Sequence, residues 1–188
     1  MMESFEALKV LSQHRGNAII VATMTADLEW PQVSTNPDLD LMFSEAMGKA
    51  SSTGLGLALA QPDKKVIVLD GDGSLLMNLG SLVTIANMAP RNLIHFVFEN
   101  TVYRITGGQL IPAAGKFSFI ALARGAGYAN VHEFEDLESL ENNLETVINQ
   151  VGPTFVCLKL LPATERPPFP FVETIISRFR AALKRSSH

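Results

Sequence analysis

The chain is poor in the residues that most readily declare a chemistry. It has one cysteine, Cys157, in 188 residues. A lone thiol forms no internal disulfide, which suits a reducing cytoplasm, and Cys157 reads as a core residue of the last strand. No apolar stretch approaches the roughly 20 residues that a membrane span needs. The amino terminus carries Glu3 and Glu6 and no long apolar region, so it does not read as a secretory signal. A cytoplasmic protein is expected. Basic residues number 15 against 19 acidic ones, and the net charge is −4. They are scattered apart from a few near the end, which argues against nucleic acid as a partner. His14, His95 and His132 share no ligand spacing and are expected to be structural. The glycines of 54–60 follow no strand and miss the dinucleotide fingerprint. Gly48-Lys49 is followed by Ala50 and lacks the earlier glycine of a phosphate loop. There is no internal repeat.

The length suits one domain able to bury a real core, and 47 % apolar against 18 % charged residues marks a folded chain. Strand and helix patterns alternate, which predicts an α/β fold: a doubly wound, mostly parallel sheet with helices on both faces. Helices are expected over 3–14, 46–60, 74–88, 117–126, 136–150 and 171–184. Strands are expected over 17–24, 65–69, 93–98, 131–134 and 154–160. The 74–88 helix is apolar on most sides and is expected to be deeply buried. Residues 25–44 are turn-rich, with Pro31, Asn36 and Pro37, and read as a functional loop. The domain is expected to span 1–161. Pro162, Pro167, Pro168 and Pro170 make 162–170 a stiff connector, and 171–188 carries a closing helix that docks on the domain or on a partner.

The sharpest signal lies in Gly71-Asp72-Gly73-Ser74 and Glu99-Asn100-Thr101-Val102. Each follows or ends an apolar strand, Val66–Leu69 and Leu93–Phe98. Adjacent parallel strands would set a carboxylate and a carboxamide side by side at their carboxyl ends. A hard cation such as Mg²⁺ takes oxygen ligands and keeps positions open for phosphate oxygens. Ser74 is expected to begin a helix, whose amino end favours negative charge. The pair therefore points to a magnesium–diphosphate anchor, although Gly-Asp-Gly alone is equally a surface turn.

Gly71 through Asn100 resembles the diphosphate-binding motif of thiamine-diphosphate (ThDP) enzymes. Met47-Gly48, Gly54 through Ala60, Gly71 through Leu82 and Thr106-Gly107-Gly108-Gln109 are most similar to the small chain of sulfopyruvate decarboxylase and to phosphonopyruvate decarboxylases. The resemblance covers roughly positions 5 to 160. It implies a ThDP-binding fold, with Asp72, Asn100 and the carbonyl of Val102 as metal ligands. It implies cofactor contacts from Glu45, Met47, Gly71, Gly73, Ser74, Tyr103 and Ile105. Met47 matches the apolar wedge that bends the cofactor, though alone it reads as core, and the carbonyl of Glu45 would meet the exocyclic amine. Glu45 and Val102 both depart from the family's small residues. Arg104 and Thr106 fall where relatives face substrate. Arg104 reads either as a receptor for an anionic head or as a solvated loop arginine. Gly107-Gly108 suggests a lid.

The resemblance also implies a missing half. Only the diphosphate domain fits in this length, so a separate pyrimidine-binding chain is expected to supply the activating glutamate. Glu45 and Glu99 are poor substitutes for it. The implied assembly is a hetero-oligomer (or a homodimer when alone), and the implied reaction is decarboxylation of a small anionic 2-oxo acid such as sulfopyruvate or phosphonopyruvate. Two other readings stay open: a chain of another split ThDP enzyme, a 2-oxo acid oxidoreductase or carboligase, and a ThDP-binding module without turnover.

Overall fold

A computed structural model describes residues 1–44 and 46–185. The chain opens with helix α1 (Ser4–His14), strand β1 (Ile19–Thr23) and the short helix α2 (Met24–Glu29). Strand β2 (Asp40–Phe43) leads into α3 (Ala50–Ala60) and β3 (Val66–Gly71). Helices α4 (Asp72–Leu76) and α5 (Ser81–Met88) return the chain to β4 (Leu93–Glu99). A two-stranded antiparallel ribbon, β5 (Val102–Tyr103) and β6 (Gln109–Leu110), follows. Then come α6 (Phe119–Ala126), β7 (Asn130–Phe134), α7 (Leu137–Asn149), β8 (Thr154–Lys159) and α8 (Ile176–Arg185).

Six strands form one parallel sheet in the order β2-β1-β3-β4-β8-β7, which is the expected doubly wound α/β architecture. The central strands are buried on both faces, so they read as mostly apolar runs rather than alternating ones, interrupted by Asp70 in β3 and His95 in β4. Alternate residues feed two cores. Ile67, Leu69, Ile94 and Phe96 pack with α1 and α7 through Leu8, Leu11, Leu140 and Leu144. Val66, Val68, Leu93 and Val97 pack with α3, α5 and α6 through Leu55, Leu82, Ile85 and Phe119. Asp136 caps α7 by accepting the Ser139 N–H at 2.8 Å.

From β1 the chain steps to β2 on one side, then returns through α3 to β3 on the other. The diverging connections leave a crevice beyond the carboxyl ends of β1 and β3, the place where open α/β sheets receive ligands.

Four elements differ from expectation. Residues 25–44 are not a loop: they contain α2, two single 3₁₀ turns and β2. The strand is four residues long at the sheet edge and is largely half-buried, so it leaves little pattern to read. The 74–88 helix is broken into α4 and α5, and it is not deeply buried on all sides, since Met77 and Val83 are each 60 % exposed. The helix read over 46–60 begins only at Ala50, because Met47 and Gly48 form a turn in which Gly48 has φ +70°.

The closing helix begins at Ile176, five residues later than expected. Before it, Thr174 Oγ1 accepts the Met42 N–H at 2.8 Å and donates to the Asp40 carbonyl at 3.2 Å. That hydroxyl occupies the open edge of β2. Phe179 and Ala182 of α8 are buried in the second core, while Ile175 and Ile176 are exposed. No helix among the described residues is long and apolar enough to cross a membrane.

Candidate functional site

At the end of β3, Gly71 is still extended and Asp72 opens α4. Asp72 is buried. Its Oδ1 accepts the Gly73 N–H at 2.7 Å and its Oδ2 accepts the Thr101 N–H at 2.6 Å. Burial pushes its carboxyl up to about 6, against the pull of those two N–H groups, with Glu99 adding a smaller push. A carboxylate held this way is short of positive charge.

The second bond crosses from β3 to the loop after β4, so it joins the two halves of the motif. Thr101 adopts φ +65°, which a β-branched residue rarely does. The strained backbone aims its N–H at Asp72. Asn100 is buried, and its Oδ1 accepts the Val102 N–H at 3.0 Å in an Asx turn. A carboxamide oxygen has a second lone pair, so this bond leaves it a free acceptor position.

Gly73 has a steric reason. A Cβ there would lie 2.7 Å from Tyr103 Cδ1, closer still to Cε1, and 3.2 Å from Ile111. Tyr103 therefore packs directly on the first turn of α4. Ser74 is buried, and its Oγ accepts the Gly48 N–H at 2.9 Å, while its hydroxyl proton meets no acceptor among the described residues. Asn78 Nδ2 donates to the Gly48 carbonyl and to Ser52 Oγ, both at 2.9 Å. Thr23 Oγ1 donates to the Ala46 carbonyl at 3.0 Å. Both sides of the Met47 turn are thus pinned.

One cleft collects nearly every residue singled out in the sequence: Met47, Gly71, Asp72, Gly73, Ser74, Asn100, Val102, Tyr103, Arg104, Ile105 and Thr106 all line it. Glu45 lies outside the described residues. Sequence reasoning missed the opposite wall, made of Ser4, Thr23, Met24, Thr25 and Ala26. The topological switch beyond β1 is the signal that points to it, and Met24 at φ +56° is a second non-glycine residue held in the left-handed region.

Arg104 is not a solvated loop arginine. Its Nη1 lies 2.8 Å from Glu29 Oε1, and its Nε donates to the Glu165 carbonyl at 2.8 Å. Glu29 is buried, and its Oε2 accepts the Ser4 hydroxyl at 2.6 Å. Burial pushes the Glu29 carboxyl up, and Ser4 and Arg104 pull it down. Thr106 is exposed, and its hydroxyl lies 3.3 Å from Gln109 Oε1. A Cβ on Gly108 would meet Thr164 at 2.8 Å, so the loop joining the two strands of the ribbon rests on the proline-rich segment.

Cys157, Lys159 and His95 lie off the cleft, whereas Asp70 lines it. Cys157 donates to Glu99 Oε2 at 2.9 Å, and Lys159 Nζ bonds the same oxygen at 2.6 Å. Burial and Glu99 push the thiol up. His95 is fully buried, 3.5 Å from Asp70 and 3.3 Å from the Tyr128 hydroxyl.

The sequence profile of the thiamine pyrophosphate enzyme, C-terminal TPP binding domain, matches residues 39–158. The beta subunit of sulfopyruvate decarboxylase from Methanothermobacter thermautotrophicus is 43 % identical over 182 residues, covering 95 % of this chain and 94 % of that one. A phosphonopyruvate decarboxylase from Streptomyces viridochromogenes is 36 % identical over 177 residues, covering 92 % of this chain but only 44 % of that protein. The chain thus spans less than half of that relative. Among solved structures, an enzyme from Mycobacterium smegmatis described as thiamin diphosphate-dependent superposes with a TM-score of 0.72 at 24 % identity, covering 86 % of this chain and 32 % of that chain. Profile, relatives and fold agree with the cleft at the switch point: the chain belongs to the thiamine-diphosphate enzymes and comprises their C-terminal, diphosphate-binding domain.

Proposed function

We propose that this chain is the diphosphate-binding subunit of a ThDP- and Mg²⁺-dependent decarboxylase of small anionic 2-oxo acids, completed by a pyrimidine-binding partner chain. The observation that carries the reading is the convergence of Asp72, Asn100, Val102, Ser74 and Met47 on one cleft. The residues suit the cofactor. A buried carboxylate with no cationic side chain beside it among the described residues, a carboxamide oxygen with a lone pair to spare and a backbone carbonyl make a hard oxygen set of the kind Mg²⁺ takes. The Ser74 hydroxyl, which donates to no described residue, suits phosphate oxygens, while the Gly73 N–H is turned to Asp72 Oδ1 and would be shared with them.

In this reading Asp72, Asn100 and the Val102 carbonyl hold the metal, and Gly71, Gly73 and Ser74 hold the diphosphate. Met47 sits as the apolar wedge, presented by the pinned Gly48 turn. Glu45 retains, by position alone, the role of offering its carbonyl. Tyr103 and Ile105 cover the cofactor, while Arg104 and Thr106 face the substrate. When bound, ThDP supplies a carbon nucleophile and an acceptor for the electrons that carbon dioxide leaves behind. The partner supplies the activating glutamate. Glu29 and Glu99 are already engaged by Arg104 and Lys159. Apolar side chains left exposed on α5 and just before it, Met77, Val83 and Met88, offer surface for a partner.

A thermal melt with ThDP and Mg²⁺ together, against each alone, tests the site. Ligand at about 100 times its Kd adds about 2.7 kcal/mol, a rise of roughly 5–10 °C for a chain of this size. The rise should need both ligands and vanish in Asp72→Ala. Carbon dioxide release should appear on adding the partner chain. Turnover by the purified single chain would refute the two-chain reading.

A further inference from the structure

Arg104 is anchored on two sides, and its third side is open. Nε is held by the Glu165 carbonyl and Nη1 by Glu29, whose other oxygen is held by Ser4. Nη2 has no hydrogen-bond partner among the described residues. The side chain is 17 % exposed and lines the cleft two positions after Val102. A guanidinium tied down along two edges cannot swing away. It has given up its rotamer freedom before any ligand arrives, so its remaining donors are pre-oriented.

The charge balance is the second feature. Glu29 is buried beside the guanidinium at 2.8 Å, so the pair is neutral as a unit. The open edge thus offers directed N–H donors with little net positive charge. A singly charged oxyanion finds hydrogen bonds there at little repulsion. A doubly charged one brings a further negative charge close to a carboxylate behind a low-dielectric wall.

Resting on the decarboxylase reading above, we propose that the open edge of Arg104 receives the second anionic group of the substrate, and that Glu29 both orients it and makes it select a singly charged sulfonate over a doubly charged phosphonate. Glu29 is then a positioning and specificity residue that need not touch the substrate.

The test uses the chain assembled with its partner chain, ThDP and Mg²⁺. Two inert probes lacking the ketone, 3-sulfopropionate and 3-phosphonopropionate, are titrated calorimetrically, and kcat and KM are measured for sulfopyruvate and phosphonopyruvate. The wild type should bind the sulfonate about tenfold or more tightly than the phosphonate. Glu29→Gln keeps the shape and the Ser4 and Arg104 contacts, and it should bring that ratio close to one through KM rather than kcat. Arg104→Met should weaken both probes. Arg104→Lys, which keeps the charge but loses the fork, should weaken the sulfonate as well and guards against a fold defect in the first variant. Equal binding of both probes by wild type and Glu29→Gln, or undiminished binding by both Arg104 variants, overturns the proposal. If the wild type decarboxylates neither acid, the decarboxylase reading fails, and the titrations still decide the role of Arg104.

Discussion

Replacing Asp72 by Asn should stabilise the ligand-free protein while abolishing its response to Mg²⁺. Burial raises the Asp72 carboxyl from the ordinary 3.8 to about 6. At neutral pH the folded chain must hold that charge in a desolvated place, whereas the unfolded chain holds it in water. Integrating between the two values gives a penalty of roughly 3 kcal/mol, an upper bound for so buried a group. The sign follows from proton counts. Between about pH 4 and 6 the folded state binds the extra proton, so stability rises as pH falls through 6 and levels off below 3.8. Asn removes the charge, but its single oxygen serves only one of the N–H groups of Gly73 and Thr101. The N–H left unpaired costs about 1–3 kcal/mol, which leaves a net gain of at most about 2 kcal/mol. Urea unfolding of both proteins at pH 7.5 and pH 4 measures this directly. The gain should be present at pH 7.5, shrink or reverse at pH 4, and be overtaken by wild type in Mg²⁺ and ThDP. A variant less stable than wild type at pH 7.5 without ligands would refute the desolvation argument.

Gly73→Ala places a methyl inside the Tyr103 ring and should cost roughly 2 kcal/mol or more while abolishing the ThDP-dependent melting shift; pairing it with Tyr103→Ala should restore much of the stability but not the shift. Asn78→Ala removes the donor that holds the Gly48 carbonyl and should weaken ThDP binding by about tenfold, roughly one hydrogen bond, in a calorimetric titration. Phe179→Ala tests the docking of α8 on its own domain: loss of this buried ring should lower unfolding free energy by about 3 kcal/mol, and an unchanged urea midpoint would show that the helix contributes nothing.

The strands of this protein were legible because the sheet is covered on both faces. Val66–Leu69 and Leu93–Phe98 are buried on both faces, so the sequence runs apolar there except for His95, which lies beside Asp70 and the Tyr128 hydroxyl, and the runs end near Gly71 and Asn100. The spacing of Asp72 and Asn100 was legible for the same reason, since each marks the carboxyl end of such a run. α2 and β2 were not, because short edge elements carry few buried positions and their turns of Pro31, Asn36 and Pro37 dominate the local pattern. The break between α4 and α5 is marked only by Asn78 and Gly80, in an otherwise apolar stretch whose outer face is exposed rather than buried.

By itself the sequence determined the fold class, the order of the central strands' motifs and the oxygen-rich pair at their ends, because these follow from local periodicity and from residues close in the chain. Tertiary structure alone decided that Met47 faces the same cleft as Asp72, that Thr101 spends backbone strain to reach it, and that Arg104 is tied to Glu29 and Glu165. Those pairings join residues 25 positions apart for Met47 and Asp72 (72 − 47), 29 for Thr101 and Asp72, 61 for Arg104 and Glu165, and 75 for Arg104 and Glu29. No local pattern encodes such pairings; they arise where parallel strands bring their carboxyl ends to one edge and the loops above them must share the space.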